Sequence, residues 1–319
     1  MILKSIKIKH VGHLFVIISL YFIAQSIISL NINTALLYSY FKVGNILFTL
    51  ISLFLYILVL YVGSLLWVFL LRELSRNFKL PIKLLVSVYA KSNLGKYLPG
   101  NVMHYIARNV LTKNYQLSHR IIATSSFIEV ALTLISAALL LISITFLSTI
   151  DVNIDSYNQY ISYKYLFLAL CILFAFITPI YIFRKKLSLD VKNIKLSLPG
   201  LSVLLLAMSG YIVIYLILGI SQLLIMVIFD DIEFTSYDYW NILFVFIFSW
   251  TIGFIVPGAP GGIGVREAIF ILLLSQNYPE QAVIFVAILY RLINISGDVL
   301  FYLMTNKSLR RVLPDTELK

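Results

Sequence analysis

Residues 257–268 read Pro-Gly-Ala-Pro-Gly-Gly-Ile-Gly-Val-Arg-Glu-Ala and interrupt an apolar stretch that extends from residue 240 to residue 275. Prolines and glycines break helical hydrogen bonding at this point. The apolar piece after the break, residues 268–275, would form a helix about 12 Å long, whereas a hydrocarbon core is about 30 Å thick. Because this piece cannot cross a bilayer alone, we predict a re-entrant helical hairpin over residues 240–275.

A second broken stretch lies in the first half of the chain, at residues 81–119. It contains Lys91, Lys96 and the pair Pro99-Gly100. Irregular backbone persists at membrane depth only where protein or a water-filled cavity satisfies its amides and carbonyls. We therefore predict a second re-entrant hairpin here. For both stretches, an ordinary pair of short spanning helices is the alternative.

The composition places these breaks inside a membrane protein. Of 319 residues, 61% are hydrophobic and 12% are charged, and the mean hydropathy is +0.95. So little polar surface excludes a soluble globule, and the long apolar runs leave little length for a water-side enzyme module. We expect an all-helical polytopic membrane protein that forms a single domain over residues 1–319.

Six apolar runs are long enough to cross a bilayer. They cover residues 14–30, 46–71, 121–150, 165–183, 201–229 and 281–304. The first run follows Lys4, Lys7 and Lys9, so a cleaved signal peptide is an alternative, but the apolar run continues past the small residues of a cleavage site. We predict a first spanning helix there.

The distribution of positive charge predicts the orientation. The net charge is +11, and with the N-terminus inside, the segments on the cytoplasmic side hold 21 of the 25 lysines and arginines. Basic residues accumulate on the cytoplasmic side of membrane proteins. This pattern predicts two cytoplasmic termini and removes nucleic acid as the reason for the positive charge.

The order span, span, hairpin, span occurs in residues 1–150 and again, upside down, in residues 151–319. Inverted repeats of this kind are typical of transporters, in which broken helices from the two halves meet at a polar site. A short sequence echo supports the repeat, because Arg108 follows Pro99-Gly100 at the same spacing as Arg266 follows Pro257-Gly258.

Five charges lie at apparent membrane depth: Glu129, Arg266, Glu267, Arg291 and Asp298. Unpaired, they would together cost on the order of 15 kcal/mol on insertion scales. We therefore expect them to be paired or hydrated. Their positions along their helices suggest that Glu129 and Arg291 face each other, with either a structural or a mechanistic purpose.

The glycine-rich stretch of the second hairpin has the properties of a phosphate site. Gly258, Gly261, Gly262 and Gly264, with Pro257, permit close approach of backbone to a ligand. The following helix begins with free amides, and the fork of Arg266 suits a phosphate, while Glu267 complements the helix dipole. A packing turn closed by an Arg-Glu clamp is the alternative.

The first hairpin carries a basic series that could attract a lipid phosphate at the cytoplasmic leaflet. Its members are Lys91, Lys96, His104 and Arg108, around Pro99 and Gly100. Retention of basic residues on the inner side is the alternative. We interpret the 43 phenylalanines and tyrosines mainly as lipid-facing and interfacial surface.

Cofactor and metal motifs are missing from the sequence. Neither a Gly-Lys-Ser/Thr loop nor a Gly-x-Gly-x-x-Gly fingerprint occurs, no His-Glu-x-x-His motif occurs, and Cys171 is the single cysteine. We therefore expect no cofactor, no metal and no ATP-driven step.

At its two hairpins the chain resembles the transmembrane region of lysylphosphatidylglycerol synthase, a flippase-like family that also occurs as stand-alone membrane proteins. Leu98-Pro99-Gly100 with Arg108, and above all residues 257–268, carry the likeness. The resemblance implies a lipid flippase-type domain in a bacterial or archaeal cytoplasmic membrane. Its relatives move aminoacylated phospholipid or are found with lipid-linked glycan pathways.

Two departures from the family pattern bear on function. Residues 103–107, Met-His-Tyr-Ile-Ala, stand where the family commonly has a Gly-Glu pair before its arginine. We also expect no soluble aminoacyl-transferring domain, and therefore no lysyl transfer from a charged tRNA and no enzymatic activity.

The sequence thus predicts translocation of an anionic phospholipid or lipid-linked glycan precursor, with Arg266, Glu267, Arg108, Arg291 and Glu129 as the principal site residues. One alternative is an intramembrane transferase acting on a polyprenyl phosphate, for which Asp298 and the pair Asp230-Asp231 are the candidate carboxylates. Another is a non-transporting scaffold for cell-envelope synthesis enzymes.

Overall fold

The computed structural model describes residues 43–76, 80–98, 102–112, 117–150, 199–228, 236–256 and 260–312. These residues form eight α-helices and contain no β-strand. The helices are α1 (Val43–Ser75), α2 (Ile82–Asn93), α3 (Met103–Leu111), α4 (His119–Ile150), α5 (Leu201–Met226), α6 (Ser236–Ile255), α7 (Val265–Leu274) and α8 (Glu280–Val312). The predicted spans at residues 14–30 and 165–183 lie outside the described residues.

Five helical segments are long and apolar enough to cross a membrane, so the chain is an integral membrane protein. They are Gly44–Ser75, His119–Phe146, Leu201–Met226, Asp238–Ile255 and Glu280–Asn306. Four of them coincide with predicted spans. The remaining one, Asp238–Ile255, is the first limb of the second predicted hairpin.

The two limbs of the second hairpin differ in length. Helix α6 has 20 residues, which corresponds to about 30 Å, whereas α7 has 10 residues and is about 15 Å long. The sequence predicted the short return limb, and the first limb is long enough to span by length alone. In the first hairpin both limbs are short, with 12 residues in α2 and 9 in α3.

Proline and glycine mark where several helices begin. Helix α2 starts directly after Pro81, and α5 starts directly after Pro199-Gly200. At the start of α7, the backbone N–H of Gly264 donates to Glu267 Oε2 at 2.8 Å. The carboxylate thereby caps the helix and complements its dipole.

The hairpins pack between the long helices, and their broken tips touch. Helix α2 lies against α1 and α8, and α7 lies between α6 and α8. A 3-10 turn at Leu94–Tyr97 ends α2, and it contacts a second 3-10 turn at Pro260–Gly262, which precedes α7. The meeting of two broken segments from opposite halves of the chain is the arrangement that the inverted repeat predicts.

Candidate functional site

A cavity of about 180 Å³ lies where the two hairpins meet. The long helices α1, α4, α5, α6 and α8 complete its walls. Most of the predicted site residues line it, namely Lys96, His104, Arg108, Glu129, Gly261, Gly262, Arg266 and Arg291. The fold therefore gathers residues from both halves of the sequence around one polar space.

The other predicted site residues lie elsewhere. Glu267 lines a smaller neighbouring pocket that shares Arg266 and Arg291 with the cavity, and Gly264 is exposed at the start of α7. The remaining four predicted residues, Pro99, Gly100, Pro257 and Gly258, lie outside the described residues.

Arg108 at the end of α3 is 1% exposed and forms a bidentate ion pair with Glu129 on α4. Its Nη2 donates to Glu129 Oε1 at 3.3 Å, and the Tyr89 hydroxyl donates to the same oxygen at 3.2 Å. The guanidinium also lies over the rings of Tyr89 and Tyr105, at 4.1 and 5.3 Å from their centroids. The protein thus engages both terminal nitrogens of Arg108, and its Nε has no hydrogen-bond partner among the described residues.

This arrangement corrects the predicted pairing of Glu129 with Arg291. Helix α3 packs directly on α4, so the nearest fork to the Glu129 carboxylate is that of Arg108. A bidentate fork satisfies both carboxylate oxygens at once. Arg291 has different partners, in the second hairpin.

A second buried carboxylate, Asp298 on α8, anchors the tip of the first hairpin. It is 1% exposed, and the Lys96 ammonium lies 2.7 Å from its Oδ2. The Tyr97 hydroxyl donates to Oδ2 at 2.5 Å, and Asn93 Nδ2 donates to Oδ1 at 2.9 Å. The Tyr56 hydroxyl donates to Oδ1 at 3.2 Å.

The sequence contains a signal for the Lys96–Asp298 pair, although the pair was not predicted. Both residues lie at apparent membrane depth, where each needs an opposite charge. Their separation of 202 residues meant that only the packing of α2 on α8 could reveal the partnership.

In the second hairpin, a left-handed turn of glycines brings backbone to Arg291. Gly261, Gly262 and Gly264 have φ values of 58°, 74° and 82°, a region that side chains other than glycine seldom adopt. Arg291 Nη1 donates to the Gly261 carbonyl at 2.9 Å and lies 3.6 Å from Glu267 Oε1. An Arg-Glu clamp therefore exists, and Arg291 on α8 supplies its arginine.

Two guanidinium groups of the second hairpin region keep capacity for an anion. Arg266, in the first turn of α7, lies 5.3 Å from the ring centroids of both Phe246 and Tyr290 and makes no ion pair with a described carboxylate. Arg291 is 5% exposed, and its Nε and Nη2 lack hydrogen-bond partners among the described residues. Both side chains line the cavity.

Tyrosines form much of the cavity wall, a role that the interpretation of the aromatic residues as mainly lipid-facing and interfacial did not include. Tyr56, Tyr89, Tyr97, Tyr105 and Tyr211 all line the cavity. An aromatic residue in an apolar helix has the same local pattern whether it faces lipid or a cavity, so the sequence carried no signal for this role.

Metal ligation finds no support in the part of the chain that is described. No group of three or more histidine, cysteine, aspartate or glutamate side chains is placed there to hold a metal ion. The candidate pair Asp230-Asp231 lies outside the described residues, and Asp298 is engaged by Lys96.

Comparison with known proteins links this geometry to a family. The family model described as Lysylphosphatidylglycerol synthase TM region matches residues 12–300. The match includes both hairpins and every charged residue of the cavity. No curated protein matches the chain.

Proposed function

The chain belongs to the lysylphosphatidylglycerol synthase transmembrane-region family, and from this membership and its cavity we propose that it moves an anionic phospholipid or lipid-linked glycan precursor across the membrane. The family indicates a role involving membrane lipids. Translocation is the step that we add, and one observation carries it: Arg291, whose Nε and Nη2 lack hydrogen-bond partners among the described residues, and Arg266 both line a cavity between two broken hairpins.

In this proposal Arg266 and Arg291 bind the lipid phosphate. Arginine forks match phosphate oxygens in geometry and remain charged at any physiological pH. The glycine turn leaves room for the phosphate beside the Gly261 and Gly262 backbone, and Glu267 orients Arg291 across the 3.6 Å contact. A charged headgroup can cross an apolar barrier when such groups replace its water.

Arg108 and Glu129 act later in the same path. We place Arg108 as the arginine nearer the opposite leaflet, reached only when its pair with Glu129 opens. During this step the Lys96–Asp298 pair holds the tip of the first hairpin in place. His104 lies in the cavity wall beside Arg108. The energy source in this proposal is a gradient, a partner or the lipid distribution itself.

The membrane topology belongs to the same proposal. Six spans and two re-entrant hairpins place both termini in the cytoplasm, in agreement with the concentration of lysine and arginine. The hairpins then enter from opposite sides. Envelope-synthesis enzymes are the partners that such a translocase would serve, in a bacterial or archaeal cytoplasmic membrane.

Reconstitution into proteoliposomes tests the proposal. Fluorescent phospholipids and a polyprenyl-phosphate sugar are followed by quenching from outside, with wild type and Arg266→Gln at equal reconstituted amounts. We expect transport by wild type and loss in the variant, because glutamine keeps the size but not the charge. Arg120→Gln is the matched control, since Arg120 on α4 is exposed and does not line the cavity.

Two outcomes would count against the proposal. Equal transport by Arg266→Gln and wild type would remove the second hairpin as the phosphate site. Failure of wild type to move any of these lipids would favour the scaffold, in which charge-removing changes alter protein abundance but not function per molecule.

A further inference from the structure

The charges around the cavity nearly cancel, and the remainder is a single positive charge. Lys96, Arg108, Arg266 and Arg291 line the cavity, and Glu129 is the one acidic lining residue among those described. Asp298 and Glu267 lie just behind the wall and pair with Lys96 and Arg291. Four cations against three anions leave one charge for the ligand, which matches a phosphodiester better than a diphosphate.

The carboxylates beside the cavity and four of its aromatic rings are already taken by cationic side chains of the protein. Ammonium ions bind to carboxylates and to the faces of aromatic rings. Glu129 is held by Arg108 and Tyr89. Arg108 covers the rings of Tyr89 and Tyr105, and Lys96 lies 5.8 and 5.4 Å from the centroids of Tyr56 and Tyr97.

Three neutral polar groups in the wall have no partner among the described residues. They are Nδ1 of His104, the hydroxyl of Tyr211 and Oδ1 of Asn294. All three residues are buried and line the cavity. Buried polar atoms in proteins are nearly always hydrogen-bonded, so unpartnered ones in a cavity point to a ligand that satisfies them.

Together these observations indicate the chemical class of the lipid headgroup. We infer that the cavity accepts a lipid with one phosphodiester charge and a neutral, hydroxyl-bearing headgroup, and rejects headgroups that carry an ammonium group. A hydroxyl can donate to Oδ1 of Asn294 and exchange hydrogen bonds with His104 and Tyr211 without adding charge. An ammonium group would instead add a cation where every described carboxylate beside the cavity is already paired. This inference rests on the proposed function and specifies its substrate class.

A panel of four lipids with the same fluorescent acyl chain tests the inference in proteoliposomes. Phosphatidylglycerol has one negative charge and two hydroxyls, and phosphatidylethanol has the charge without hydroxyls. Lysyl-phosphatidylglycerol and phosphatidylethanolamine carry ammonium groups. We expect phosphatidylglycerol to move about tenfold faster than phosphatidylethanol, the effect of losing one or two hydrogen bonds, and both ammonium lipids to move more slowly still.

The outcomes separate this inference from the proposed function. Equal rates for phosphatidylglycerol and phosphatidylethanol, or transport of either ammonium lipid at the phosphatidylglycerol rate, would overturn the headgroup assignment and leave translocation standing. Faster transport of a polyprenyl-diphosphate sugar would do the same. No movement of any lipid would overturn both. Uptake of soluble glycerol 3-phosphate in preference to the lipids would overturn the lipid as the source of this chemistry.

A hydroxyl deletion in the protein provides a complementary test. Tyr211→Phe removes one oxygen from the wall, and we expect it to lower the phosphatidylglycerol rate towards that of phosphatidylethanol while leaving the latter unchanged. Tyr215→Phe is the matched control, because Tyr215 lies one turn further along α5, is equally buried and does not line the cavity. An equal loss for both lipids in Tyr211→Phe would identify a merely structural hydroxyl and contradict the inference.

Discussion

Arg108 and Arg266 stand at equivalent places in the two hairpins, each nine residues after a Pro-Gly proline, yet Arg108 is locked to Glu129 and Arg266 has no described ion pair. Both side chains line one cavity. The two arginines thus differ in their partners. Arg108 is paired with a buried carboxylate, whereas Arg266 lies beside two aromatic rings.

The Arg108–Glu129 pair should therefore be tested through stability. We expect Arg108→Gln and Glu129→Gln each to destabilise the protein by about 3–5 kcal/mol, because each change leaves one buried charge without its partner. The double variant should recover part of this loss. Denaturation in detergent measures all three, and additive losses in the double variant would contradict the coupling.

The Lys96–Asp298 pair predicts a local effect. In Asp298→Asn the side-chain shape remains, but the charge that Lys96 contacts is lost, so the first hairpin tip should open more easily by about 2 kcal/mol. Hydrogen exchange of the Leu94–Tyr97 amides measures this opening. Asn306→Asp, further along α8, serves as the control, and unchanged exchange in Asp298→Asn would show that the tip is held by other contacts.

Gly261 and Gly264 form a matched pair for the turn. Alanine at either position costs about 1–2 kcal/mol in a left-handed conformation. A Cβ at Gly261 would lie 3.1 Å from Arg291 Nη2, whereas a Cβ at Gly264 would have no atom within 4 Å. We expect similar losses of stability, with reduced lipid transport only in Gly261→Ala. Equal transport by the two variants would place the turn outside the phosphate site.

Cysteine labelling decides the topology. With Cys171→Ser as the background, Lys319→Cys should react with a membrane-impermeant maleimide only from the cytoplasm, and Asp231→Cys only from outside. Ala259→Cys, at the break in the second hairpin, distinguishes the two interpretations of residues 240–275. Slow labelling indicates a re-entrant tip, and rapid labelling from the cytoplasm indicates a spanning pair.

The sequence supported the prediction of the long helices and the shortness of α7, since length and hydropathy alone decide which segments can cross a bilayer. It also identified Lys96, Arg108 and Arg291 as charges at or near membrane depth that require a partner or water. The partners could not be predicted in the same way. Depth along a helix suggested Arg291 for Glu129, but the rotation of each helix and the insertion of α3 beside α4 select Arg108.

The role of the tyrosines in the cavity wall could not be predicted from the sequence either. Tyr56 and Tyr211 lie in long apolar helices whose sequences carry little amphipathic pattern, because lipid and protein interior are both apolar surroundings for them. Only the packing of the helices separates a cavity wall from a lipid-facing surface. The buried hydroxyl of Tyr211 lines the cavity only because the two hairpins pack beside α5.

The contact between the hairpin tips makes the shape of each tip depend on the other. A Cβ at Gly261 would lie 3.6 Å from the Lys96 carbonyl oxygen and 3.7 Å from the Tyr97 ring. Each tip therefore limits the side chains that fit at the other. A residue change that reshapes one tip will be tolerated only with a compensating change in its counterpart. Positions 94–97 and 260–262 should accordingly co-vary among relatives, although more than 160 residues separate them along the chain.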